Sequence, residues 1–135
     1  MKITFEVSGP AAGKERPRFA RIKGRGVRTY TPAATVKREA VIAAAYRETA
    51  GNLEPHTGAV IVSILAMYIP PQSWPKHKRE NPGPKVTKPD ADNLEKLCLD
   101  ALNRIAWRDD SQVIDVRTRK RYGDADKLIV CIERI

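Results

Sequence analysis

The chain has 135 residues, 41% of them hydrophobic and 30% charged, with a formal net charge of +9. That length suits a single domain with one modest core, and no apolar run nears the roughly 20 residues that cross a bilayer. A protein that spans a membrane by helices is therefore excluded. A start lacking a signal-peptide pattern leads us to expect a cytoplasmic protein without a membrane partner.

The two cysteines, Cys98 and Cys131, show neither C-x-x-C nor Cys/His zinc spacing, so reduced thiols are expected. The charge is unevenly placed. Residues 1–89 carry 16 Lys/Arg against 6 Asp/Glu, whereas residues 90–135 carry 9 against 10. A basic body holding a local acidic patch points to a polyanion partner and to chemistry that needs carboxylates.

In chain order, Met1 to Val7 alternates apolar and polar and predicts a half-buried strand. A basic loop, about residues 9–29, follows. Gly13 to Arg28 holds seven basic residues, among them Lys14, Arg16, Arg18 and Arg21, and its glycines and Pro17 argue against a helix. Such a loop can lie along phosphates. Thr31 and Pro32 are expected to cap and open a helix that ends at Gly51. In that helix Val36, Ala40, Ala43 and Ala44 are expected to pack on a sheet.

The run after Gly58, A-V-I-V-S-I-L-A-M-Y-I, predicts a central strand buried on both faces. A second loop, about residues 70–89, is proline-rich and sets Trp74 beside Lys76, His77, Lys78 and Arg79. Trp74 either stacks on a base or pins its own loop.

Residues 90–105 carry an apolar stripe at helical spacing: Leu94, Leu97, Cys98, Ala101, Leu102 and Ile105. Asp92, Lys96 and Asn103 fall on the opposite face. Beyond it, Ile114, Val116 and Thr118 alternate with Asp115, Arg117, Arg119 and Arg121. Leu128, Val130 and Ile132 continue as a partner strand. The arginines form a basic ladder suited to a phosphate backbone. The order is β-α-β-α-β-β, an α+β (mixed α/β) fold with a mixed sheet and two helices packed on it, as one domain over residues 1–135.

Four carboxylates, Asp90, Asp92, Asp109 and Asp110, bound the second helix. Asp92 and Glu95 have capping-box spacing, and Asp92 with Lys96 has the spacing of a surface ion pair. Together the acids suit Mg²⁺ or Mn²⁺, hard ions completed by water and substrate phosphate. Such ions serve phosphodiester hydrolysis, with a lysine to orient water or offset charge. A basic nucleic-acid-binding module without catalysis, and a general nuclease for flaps or other branched DNA, are the alternatives.

The motif D-A-D-N-L-E-K-L-x-L-D-A-L-N, then W-x-D-D-S-Q-V, with G-K-x-R-P-R and Y-T-P upstream, resembles the RusA family of Holliday-junction resolvases. The resemblance implies a bacterial or phage Mg²⁺-dependent, homodimeric endonuclease of DNA recombination and repair. Mn²⁺ is expected to substitute. It maps the catalytic, metal-binding acids onto Asp90, Asp92 and Asp110 and the essential lysine onto Lys96. Asp109 is the neighbouring acid.

Where the family has arginines before the first aspartate, this chain has Lys88-Pro89. Basic help at the phosphate then falls to Lys85, Lys88 or the Arg16/Arg18 loop. DNA contact is expected from Lys14, Arg16, Arg18, Arg21, Lys76, Lys78, Arg79, Lys88, Arg117 and Arg119. Two symmetric nicks are most simply made by a two-fold dimer; Leu99 and Trp107 either contact the partner copy or pack internally.

Overall fold

The computed structural model describes residues 1–14, 18–22, 26–30 and 32–135, with side chains for 1–14 and 32–135. The Arg16 and Thr31 expectations, and those for the side chains of Arg18 and Arg21, lie outside that description. The described residues form six strands and three helices: β1 (Lys2–Ser8), β2 (Arg18–Ile22), β3 (Gly26–Tyr30), α1 (Ala33–Ala50), β4 (Val60–Tyr68), α2 (Lys76–Glu80), α3 (Ala91–Leu102), β5 (Val113–Tyr122) and β6 (Lys127–Arg134). A 3-10 turn, Asp110–Gln112, leads into β5.

β1, β6, β4 and β5 form one mixed sheet in that order. β6 runs antiparallel to both of its neighbours. β5 runs parallel to β4, which requires the long crossover through α2 and α3. The expected mixed α+β architecture is therefore present.

Register explains the core. On one face Phe5, Val130, Ile64 and Thr118 lie in one row across the four strands, and Ile3, Ile132, Val62 and Val116 in the next. Ile42 and Tyr46 of α1 and Leu94, Leu97, Cys98, Ala101 and Leu102 of α3 join these side chains in one buried cluster. Each fully buried Leu, Ile or Val in it stabilises the fold by about 1.5–3 kcal/mol. Among the described residues no helix is long and apolar enough to cross a membrane.

Several expectations are corrected. The 9–29 loop contains the β2–β3 hairpin, and the 70–89 loop contains α2. β4 occupies an interior position but is fully buried on one face only; Ile61, Ser63 and Leu65 are half-buried on the other. In α1 the buried residues are Thr35, Ile42, Ala43 and Tyr46, while Val36 is 54% exposed and Ala40 and Ala44 face outward. Pro32 is the N-cap of α1 rather than its first helical residue.

Further along, a register shift between Val60 and Ile61 pairs Val60 with Val113 but Ile61 with Asp115. Ile114 falls in that bulge and is 64% exposed. α3 stops at Leu102, because Asn103 is extended and Arg104 takes φ 67°. Asn103 thus lies beyond the helix instead of on its polar face.

Candidate functional site

α3 buries its apolar stripe and turns its polar side to solvent. Asp90 is its N-cap and Asp92 lies in its first turn, yet Asp90 makes no side-chain capping hydrogen bond. Glu95, the would-be capping-box partner, instead accepts a hydrogen bond from Thr118 Oγ1 at 2.9 Å. The helix leaves the carboxylates of Asp90 and Asp92 unused, and carboxylates at a helix N-terminus are favoured by its dipole.

Beyond α3 the chain turns through Trp107, a fully buried residue. Its indole Nε1 donates to Asp110 Oδ1 at 2.9 Å. Asp109 and Gln112 close a capping box around the 3-10 turn, and the Gln112 amide donates to the carbonyls of His56 and Gly58. The hydrogen bonds from Ser111 lower the Asp109 pKa. Asp109 therefore shapes the turn, and Asp110 is the acid that the turn presents.

Asp92, Glu95, Lys96, Leu99, Asp100 and Asp110 line one open cavity of about 290 Å³. Asp92 and Lys96 share that cavity, but the ion pair that their spacing allows is not formed. Asp90 stands two residues ahead of Asp92, exposed and outside the lining. Among the described residues no three Asp, Glu, His or Cys side chains are grouped so as to hold a metal ion by themselves. The donor set of Asp92 and Asp110 fits a hard divalent cation that keeps waters and takes its remaining ligands from phosphate. Thiol chemistry does not belong here: burial pushes Cys98 up to about 12, which keeps it a neutral thiol.

The basic residues divide. Lys14 Nζ is held by Asp100 and Glu39. Burial alone would lower its pKa, but the hydrogen bonds and charges of those two acids outweigh it and raise it above the ordinary lysine value. Lys14 is thus engaged by two acids of its own chain. Lys76, Lys78 and Arg79 are exposed on α2, where Lys78 sits 4.0 Å over the Trp74 ring and Arg79 donates to the Trp74 carbonyl.

Trp74 packs edge-on against Tyr122 and pins its loop. Lys88 is exposed just before Pro89. Arg117 and Arg119 are exposed on β5, but on the opposite sheet face from Val116 and Thr118. Leu99 and Trp107 pack internally, the first also lining the cavity.

Sequence reasoning misses the residues that orient the acids. Trp107 stands in the W-x-D-D motif, and that spacing is a usable signal. Gly13, whose backbone lies close to Asn93 and Pro89, opens the G-K-x-R-P-R motif, but that motif does not reveal the close approach.

The family model of endodeoxyribonuclease RusA matches residues 8–133. The chain belongs to the RusA endodeoxyribonuclease family. An uncharacterised protein of Bacillus subtilis, YqaN, is 42% identical over 50 residues. That match takes in 37% of this chain and 35% of YqaN, so it covers about a third of that relative's length. Asp92, Lys96 and Asp110 line the cavity together with Glu95, Leu99 and Asp100, whereas Asp90 does not, and the RusA match runs on through β5 and most of β6.

Proposed function

We propose that this RusA-family chain is a divalent-metal-dependent endodeoxyribonuclease. In this reading it resolves Holliday junctions by paired symmetric nicks, as a homodimer in the cytoplasm. The observation that carries the proposal is the shared cavity of Asp92, Lys96 and Asp110, built from two segments eighteen positions apart and left open on one side.

Asp92 and Asp110 would hold Mg²⁺ or Mn²⁺, with Asp90 adding a further carboxylate from the helix start. When bound, such an ion activates water and neutralises the phosphodiester. Trp107 fixes which oxygen of Asp110 remains available, because its N–H occupies the other. Lys96 supplies a cation beside the acids, suited to orienting water or offsetting charge that develops on the phosphate. Neither a cysteine nor a histidine nucleophile is required. The exposed cations Lys76, Arg79, Lys88, Arg117 and Arg119 would contact the backbone of branched DNA, where shape rather than base sequence selects the substrate.

The test is cleavage of a synthetic four-way junction by the purified chain in Mg²⁺ or Mn²⁺. Asp92→Asn should abolish nicking while leaving metal-free junction binding within about twofold, and equal cleavage by the variant would remove the proposed chemistry. The absence, among the described residues, of three acidic, His or Cys side chains grouped to hold a metal ion favours one second reading, a binding module without catalysis. That module would bind junctions unaffected by EDTA and cut none. Linear and flap substrates run alongside separate junction resolution from a broader nuclease activity.

A further inference from the structure

Strand β5 touches the acidic site at three places, one of them the Thr118 hydrogen bond to Glu95. Its first residue, Val113, follows the 3-10 turn that begins with Asp110. Seven residues on, Lys120 lies on the helix-covered face, in register with Ala66 of β4. Its ammonium crosses to the loop that enters α3 and donates to the carbonyls of Thr87 at 2.6 Å and Pro89 at 2.8 Å. The residue after Pro89 is Asp90.

The loop needs this outside help. Residues 70–89 contain six prolines, each lacking an N–H, so the segment has fewer backbone donors than an ordinary loop with which to fix itself. Two ammonium groups compensate. Lys85 lies 4.6 Å from the Tyr68 ring and 5.3 Å from the Tyr122 ring and donates to Thr87 Oγ1, and Lys120 ties Thr87 and Pro89, just ahead of the Asp90 N-cap. From another direction the Lys14 N–H donates to the Asn93 carbonyl at 3.0 Å. The first turn of α3 is therefore gripped by β5 and by the N-terminal arm.

We propose that Lys120 is a positioning residue: it holds the start of α3, and with it Asp90 and Asp92, against the cavity that Asp110 lines. The proposal rests on the nuclease reading above. A partly buried lysine that merely satisfied its own charge would affect stability alone. A positioning lysine sets how well the carboxylates are arranged for a cation and its substrate.

Lys120→Met removes the donors and keeps the length, and Lys120→Arg restores donors. In Lys120→Met, amide exchange across residues 86–94 of the metal-free protein should quicken about tenfold. The Mn²⁺ concentration for half-saturation, read by titration, should rise by a similar factor, the scale seen when an outer support of a metal ligand is removed. Single-turnover nicking should slow while junction affinity stays within about twofold, and Lys120→Arg should recover most of each. Should Lys120→Met not fold, Lys120→Gln carries the same readouts with a single neutral donor group.

Unchanged exchange and an unchanged Mn²⁺ midpoint in a folded variant would overturn the inference alone. A parent chain that neither binds Mn²⁺ nor cuts a junction would overturn the nuclease reading, and this one with it.

Discussion

Trp107 reaches Asp110 from inside the core, and that single N–H···O hydrogen bond links packing to chemistry. A buried indole needs a hydrogen-bond partner, so the tryptophan that fills the space behind α3 also fixes a carboxylate at the surface. Phenylalanine keeps most of the ring and removes the donor. Trp107→Phe should cost about 2 kcal/mol of stability, as expected for trimming a fully buried side chain. Metal-dependent nicking should fall by about tenfold or more, since Asp110 would no longer be held in one orientation. Denaturant unfolding and single-turnover cleavage, measured on the same preparation, check this; full activity with lowered stability would reduce Trp107 to filler. The adjacent acids show how far apart two neighbouring aspartates can stand. Asp109 is used up by Ser111 and the capping box, whereas Asp110 keeps an oxygen for the cavity.

At the scale of elements, α3 is an amphipathic helix whose placement is decided by its neighbours. The N-terminal arm crosses its first turn closely enough that a Cβ on Gly13 would sit 2.7 Å from Asn93 Cβ and 3.4 Å from Pro89 Cβ. The nearer atom is fixed to the helix backbone, so it cannot swing aside. Gly13→Ala should therefore push the arm and helix apart, costing about 1–3 kcal/mol as overpacking does. It should also weaken nicking more than junction binding, because Asp92 moves with the helix. Comparing cleavage rate with metal-free binding for the variant tests this, and a proportional fall in both would argue against it. Helix α1 teaches the opposite lesson about elements. Its alanines make an apolar residue available in almost every direction, so composition alone does not choose its buried face. Thr35, Ile42 and Tyr46, spaced seven and four residues apart, are the side chains that meet the core.

For the whole molecule, the sheet divides the protein into a helix-covered side and an open side. The covered side holds the core and the start of β5 beside the acids; the open side carries half-buried Ile61, Leu65 and Ile129 flanked by the exposed arginines of edge strand β5. Because side chains alternate along a strand, Arg117 and Arg119 cannot face the same way as Thr118. DNA that reaches both the acidic cavity and these arginines must pass around the β5 edge. Replacing both arginines by alanine should weaken metal-free junction binding and lower the slope of log affinity against log salt by about 2, near one unit for each phosphate no longer neutralised. Binding measured between about 50 and 200 mM salt checks it, and an unchanged slope would place the DNA path elsewhere.

The chain alone determined the apolar stripe of α3 and the acids that flank it. Strict helical periodicity and a repeated aspartate pattern are local signals, written in consecutive residues. It also determined most of the strands, because alternation on a half-buried sheet is equally local. Only tertiary structure decided which acids share a cavity: the path of the chain through Trp107 brings Asp110 to the lining that Asp92, Glu95 and Asp100 supply, and Asp109 is set aside by the turn it caps. Tertiary structure likewise decided that Lys14 serves Asp100 and Glu39, and that Lys120, one more cation in a basic run, grips the entrance to α3. Such roles depend on partners tens of residues away, and no short window of sequence contains both ends of the interaction.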